Sequence, residues 1–203
     1  MGDETAVPVP HARLKLGLMF LLPGLAVLLA TLVYYSGIGL PRGTTNKGVL
    51  LLPPRQIDEL ALTSAAGETW RYDGARRGWG MLVAGGASCD GACRERITLM
   101  RQLRKALGDD AARVHRYYLA ADSIPDSGFA AWLGAEQADL QVLNTREAAL
   151  RALLERDGDP DPLRSDAMYL VDPRGFVMMY YLPVHPGRAT LDDLRFLLRN
   201  SAD

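Results

Sequence analysis

The chain has 203 residues, 48 % hydrophobic and 23 % charged, and its 23 Lys and Arg against 24 Asp and Glu leave a net charge of −1. That is the balance of an ordinary globular protein. No basic stripe with interleaved aromatics appears, which argues against nucleic acid as a partner.

The first 15 residues form a short tail carrying His11, Arg13 and Lys15. Leu16 to Pro41 then run for 26 residues without a charge. Roughly 20 helical residues span a bilayer core, so residues 16–40 are read as a transmembrane helix, with Tyr34 and Tyr35 at the interface. A cleaved signal peptide is the rival reading. Its apolar region is shorter, about 7–15 residues, and no small-x-small site follows here, so an uncleaved anchor is preferred. Flanking charges are balanced and do not orient it. A short tail left in the cytoplasm, with the rest exported to the periplasm of a bacterial inner membrane, is the simpler arrangement. Residues 41–55, rich in Gly, Pro, Thr and Asn, read as a tether. Residues 56–203 are enough for one compact domain and too few for two.

In the domain, strands are predicted at Leu60–Leu62, Thr69–Tyr72 and Trp79–Gly85, with turns at Ala66-Gly67 and Asp73-Gly74. Arg94 to Leu107 is a helix by the spacing of Ile97, Met100, Leu103 and Leu107, with Gly108 at its end. A strand at Arg113–Leu119 takes in His115, read as packed or edge-facing. A short helix at 129–133 and a strand at Asp139–Leu143 follow. Asn144 with Glu147 reads as a capping box for a helix whose stripe is Leu150, Leu153 and Leu154. The aspartates at 157, 159 and 161 read as a solvated turn rather than a calcium loop. Ala167–Val171, the turn Asp172-Pro173-Arg174-Gly175 and Phe176–Tyr181 make a hairpin, with Met178 and Met179 as packing residues. A last helix starts at Thr190 with Asp193. The order is α/β, a strand–helix alternation closed by a hairpin and a helix, which is the thioredoxin-like plan.

The only cysteines, Cys89 and Cys93, lie four apart between the third predicted strand and the first helix of the domain. A thiolate at a helix N-terminus is stabilised by unpaired N–H groups and the helix dipole. Two thiols so spaced can exchange with a disulfide or hold a soft metal, and a structural disulfide is the plainer alternative. Arg94 and Arg96 favour thiolate and Asp90 opposes it. Cys89, nearer the loop and expected to be the more exposed, is the candidate attacking thiol and Cys93 the resolving one.

With the anchor, the CxxxC and the closing hairpin in place, the chain resembles the SCO/SenC family. The residues that carry this are Arg42-Gly43-Thr44-Thr45-Asn46-Lys47-Gly48, Cys89 to Cys93, and Met168-Tyr169-Leu170-Val171-Asp172-Pro173-Arg174-Gly175. The resemblance implies a membrane-anchored thioredoxin-like protein serving cytochrome c oxidase assembly. Its work would be thiol–disulfide exchange or Cu(I) handling, with an oxidase subunit or a copper-site assembly intermediate as partner. It also implies a Cys-Cys-His copper site, so Cys89 and Cys93 are candidate Cu(I) ligands. Arg164 stands where the family's histidine is expected, and Asp90 replaces its proline after the first cysteine. His185, in the loop after the hairpin, is the candidate substitute ligand, against the plainer reading of a solvent-facing loop histidine. The position of a thioredoxin's cis-proline falls near Ser165-Asp166. These departures tilt the expectation from copper holding toward thiol exchange. A non-catalytic module that binds an oxidase, its cysteines structural or vestigial, is the alternative, and a generic periplasmic oxidoreductase is third.

Overall fold

The computed structural model describes residues 12–36, 46–72, 78–155 and 158–201. His11, residues 41–45, the predicted Asp73-Gly74 turn and Asp157 lie outside them. The chain divides into two units, Met1–Thr45 and Asn46–Asp203.

In the first unit α1 (Ala12–Ser36) is a 25-residue helix containing Pro23. Thr31 Oγ1 donates to the carbonyl of Val27 at 2.8 Å, which satisfies a hydroxyl on an otherwise apolar helix. Met19, Phe20, Leu25, Leu28 and Leu32 are all exposed, so apolar side chains face outward on every side. Among the described residues no helix is long and apolar enough to cross a membrane. Side chains of α1 are described only at Gly17, residues 19–33 and Tyr35.

The second unit is built on a seven-stranded sheet in the order β1-β7-β6-β3-β4-β5-β2. The strands are β1 (Val49–Gln56), β2 (Thr63–Ser64), β3 (Trp79–Gly85), β4 (Val114–Ala121), β5 (Leu140–Thr145), β6 (Met168–Val171) and β7 (Phe176–Tyr181). β3, β4 and β5 are parallel, and β6, β7 and β1 run antiparallel beyond β3. The helices are α2 (Gly91–Ala106), α3 (Ser127–Glu136), α4 (Glu147–Leu154) and α5 (Gly187–Asn200).

Both faces of the sheet are buried, as its central parallel strands require. Met81, Val83, Tyr118, Leu170 and Met179 pack on one face with Ile97 of α2, Phe129 of α3 and Leu194 of α5. Leu82, Tyr117, Leu119, Tyr169 and Val177 pack on the other with Leu150, Leu153 and Leu154 of α4. Adjacent residues of one strand thus serve opposite cores, which is the two-residue period of a strand.

Four local expectations are corrected. β1 takes up residues 49–55 of the stretch read as a tether, pairing Val49 with Tyr180 and Gln56 with Phe176. It is an edge strand, where Pro53 and Pro54 are tolerated because one side needs no donors. Leu60–Leu62 is not a strand: Ile57–Glu59 is a 3-10 turn, β2 follows at Thr63, and Thr69 makes only an isolated bridge to Thr63. Asn144 does not cap α4. It lies in β5, and Asp122 Oδ2 at the end of β4 accepts from the Glu147 N–H at 2.9 Å instead. α5 begins at Gly187, a turn before Thr190, and Thr190 and Asp193 are buried rather than capping.

Three charged side chains of the second unit, two of them buried, are partnered. Arg116, on β4, donates to Asp139 and, at 2.9 Å, to Gln137 Oε1. Arg55 donates to Asp159 and, at 2.8 Å, to the Leu154 carbonyl. Asp161, held below the ordinary carboxylate range by Arg151 and the Leu163 N–H against the opposing effect of its burial, accepts from Arg151 at 2.7 Å. Asp159 and Asp161 are therefore ion-pair partners, not a free acidic turn.

Candidate functional site

Strand β3 delivers the chain to the cysteines through Gly85. A Cβ there would collide with the Tyr118 hydroxyl, so only glycine lets this tyrosine reach across. Tyr118 Oη donates to the Gly86 carbonyl at 2.8 Å, and Ala87 O accepts the Asp126 N–H at 2.8 Å. These two bonds pin the loop ahead of the cysteines to β4 and to the start of α3. Gly85→Ala is expected to displace Tyr118 and lower stability by about 1–3 kcal/mol, the usual range for overpacking, read by denaturant unfolding.

Cys89 and Cys93 form a disulfide with Cα atoms 5.3 Å apart. Asp90 is the N-cap of α2: its Oδ1 accepts the Cys93 N–H at 2.9 Å. Capping is thus what Asp90 contributes in place of a proline, satisfying one of the free amides of the first turn. Arg94 Nε donates to the Cys89 carbonyl at 3.0 Å, and its guanidinium lies 5.3 Å from the Trp132 ring centroid. Cys89 is 5 % exposed and Cys93 8 %, so the expectation that Cys89 is the more open thiol does not hold. The pinned loop and the packing of both sulfurs against the α2 face of the core account for this.

Beside the disulfide, a cleft of about 280 Å³ runs between α2, the loop before β6 and the loop leading to α5. Ala92, Arg96, Asp166, Pro183, His185 and Gly187 are among its walls. Arg96 is 6 % exposed. Burial lowers the proton affinity of its guanidinium, and Asp166 partly restores it. Asp166 lies in the loop just before β6, with φ of 48°. Its carboxyl is raised above the ordinary value by burial and then by Asp90, against the pull of Arg96.

His185 is half-buried and lines this cleft rather than facing open solvent. Its Nδ1 lies 2.9 Å from the Leu182 N–H, which donates to it. Its ring meets Tyr181 edge to face at 6.1 Å. Arg164 is exposed and lines no part of the cleft. Among the described residues no group of three His, Cys, Asp or Glu side chains is arranged to hold a metal. Two sulfurs joined to each other, with arginine in the expected histidine position, do not fit a three-ligand copper site. Sequence reasoning placed Asp166 near the cysteines and Arg96 in the first turns of the helix. It missed that the two face one cleft, because the β6 and α5 loops that close it meet only in the fold.

Residues 79–201 match the protein family described as "Transmembrane-like, thioredoxin-like, C-terminal domain". A search of curated proteins finds no match. Among solved structures, apo Sco1 from Thermus thermophilus is similar at 16 % identity and a TM-score of 0.56, covering 76 % of this chain and 99 % of that one. Yeast Sco1 with copper bound is similar at 12 % identity and 0.55, covering 79 % and 97 %. BsSco, described as a member of the Sco family of cytochrome c oxidase assembly proteins with a disulfide switch, is similar at 14 % identity and 0.51, covering 79 % and 99 %. At these identities the likeness is one of fold.

Proposed function

The chain belongs to the transmembrane-like, thioredoxin-like C-terminal-domain family, and from that premise we propose that it is a membrane-anchored thiol–disulfide exchange factor for cytochrome c oxidase assembly. One observation carries the reading. The Cys89–Cys93 disulfide sits at the N-terminus of α2, off the end of central strand β3. On reduction a thiolate there gains the helix dipole. The loop it closes is too short for a strong staple, since loop-closure entropy grows with loop length. The Sco-like fold supports the oxidase as client, and because no third metal ligand stands with the cysteines among the described residues the proposal runs through thiol exchange and not through copper.

The anchor is α1 in this reading. It forms the larger part of the uncharged run Leu16 to Pro41, whose 26 residues are enough for a bilayer core, although its described residues alone are not long and apolar enough to cross one. Apolar side chains exposed on every side suit lipid better than water. The family's description as transmembrane-like supports attachment to a membrane, and the proposal puts the second unit on the periplasmic side of a bacterial inner membrane.

A second reading has its own support: with both sulfurs buried, the disulfide serves as a fixed part of a module that docks on an oxidase. Equilibration of the full chain with glutathione buffers separates the two. A potential above about −300 mV is expected for an exchanging pair. A lower value, together with full oxidase activity in cells carrying Cys89→Ser and Cys93→Ser, would leave only the docking module.

A further inference from the structure

The cleft near the disulfide has two charged side chains that make no hydrogen bond or ion pair among the described residues. Arg96 is more than nine-tenths buried, yet among the described residues its guanidinium makes no hydrogen bond or ion pair. Asp166 Oδ atoms likewise have no hydrogen-bond partner, although the two residues are close enough to feel each other's charge. Asp166 is half-buried, and a side chain as buried as Arg96 without a protein partner is uncommon in a native structure. Here a donor and an acceptor line the same space of about 280 Å³, together with Ala92, which precedes Cys93 in the chain.

The charges around the cleft limit what can enter. Glu95 stands exposed at its rim, Asp166 and Arg96 form its walls, His185 lies on the α5 side, and Asp90 is near Asp166. An acidic side chain would pair with Arg96 but meet Asp166 and Glu95. A basic one would pair with the carboxylates but meet Arg96. An aliphatic one would leave both groups unsatisfied. A neutral amide carries an acceptor and a donor on one small planar group and introduces no charge. Pro183, Pro186 and Leu99 supply the apolar remainder of the wall, and Gly187 permits the close approach of α5, since a Cβ there would lie 2.8 Å from Leu99 Cδ1.

We propose that this cleft is a specificity subsite that takes the Gln or Asn side chain of a client residue flanking its cysteine, its carbonyl accepting from Arg96 and its amide donating to Asp166. The inference rests on the exchange reading for its client but not for its test.

The test is a titration of cysteine-free pentapeptides, Gly-Ala-X-Ala-Gly with X as Gln, Glu, Lys or Leu, into the isotope-labelled full chain in nanodiscs. The Arg96 Nε–H and Gly187 amide signals are followed. The Gln peptide is expected to move both and to bind about tenfold more tightly than the other three, the cost of one charge-assisted hydrogen bond. Arg96→Met and Asp166→Asn are each expected to remove that preference, with Arg96→Lys keeping part of it. Equal binding of all four peptides overturns the proposal. So does tighter binding of Glu, which would mean Arg96 acts alone, or of Lys, which would mean the carboxylates prevail. The wild-type series decides the matter even where a variant does not fold. No thiol takes part, so Gln-selective binding without exchange would sink only the exchange reading, and exchange without Gln selectivity only this one.

Discussion

Cys93→Ser is expected to accumulate a mixed disulfide with its client, and Cys89→Ser to accumulate none. In the proposed cycle the Cys89 thiolate of the reduced pair attacks one sulfur of a client disulfide, and the other client sulfur leaves as thiolate and takes up a proton. The Cys93 thiol then gives up its proton and attacks Cys89 Sγ. This frees the second client thiol and restores the Cys89–Cys93 bond, so two electrons pass from protein to client. Removing Cys93 stops the cycle after its first step. Cys89 is assigned the attack because it precedes α2 in a loop held by three bonds, Tyr118 to Gly86, Asp126 to Ala87 and the Arg94 side chain to the Cys89 carbonyl. Cys93, by contrast, lies inside the helix with its amide tied to Asp90. Both sulfurs are buried, so the loop must lift for a client to reach Cys89. Non-reducing electrophoresis and mass spectrometry read the adduct. The reverse pattern would exchange the two roles, and no adduct from either variant would identify a staple. Its loss would then cost only about 2 kcal/mol by loop-closure entropy.

How much of this was legible beforehand depended on whether the signal was local. α2, α4 and the β6–β7 hairpin follow from residue spacing, and each lies within two or three residues of its expected place, because one apolar stripe and one turn determine them. β1 was hidden by Pro53 and Pro54, which read as a tether when only the edge-strand setting excuses them. The cap of α4 was misassigned for a similar reason. Asn144 and Glu147 have the right spacing, but β5 runs on to Thr145 against Ala121 and takes Asn144 with it. Asp122, 25 residues away from Glu147, does the capping. The cysteine pair was legible because its chemistry needs only two positions and a helix start. The Arg96–Asp166 cleft was not, since its walls come from three separated segments.

Asp193→Ala should be among the most destabilising single changes in the domain, at about 3–5 kcal/mol. Asp193 is 6 % exposed, and its Oδ2 accepts three hydrogen bonds, from the amides of Lys47 at 2.8 Å and Gly48 at 3.0 Å and from Tyr181 Oη at 2.9 Å. Burial, and then the Asp193 charge, push the Tyr181 hydroxyl well above its ordinary value, so it remains a donor throughout the physiological range. Alanine would leave the buried Gly48 amide and the part-buried Lys47 amide without their acceptor and the Tyr181 hydroxyl with only the weak acceptor Met179 Sδ, at about 1–3 kcal/mol each and less than additively. For a domain of this size, about 2–4 °C per kcal/mol places the melting shift near 10 °C. Asp193→Asn keeps the shape and one acceptor oxygen and is expected to lose roughly half as much. Lys47→Ala supplies the contrast. It removes the half-exposed ion pair to Asp192, worth about 0–1 kcal/mol, but keeps the Lys47 amide that Asp193 holds. A loss under about 1 kcal/mol for Asp193→Ala by urea unfolding would refute the clamp. Because Asp193 joins the residues just before β1 to α5, hydrogen exchange in the variant should rise first at Val49 and Leu50. Protection in β3, beneath the disulfide, should be the last to fall, since that strand is buried on both faces and paired on both edges.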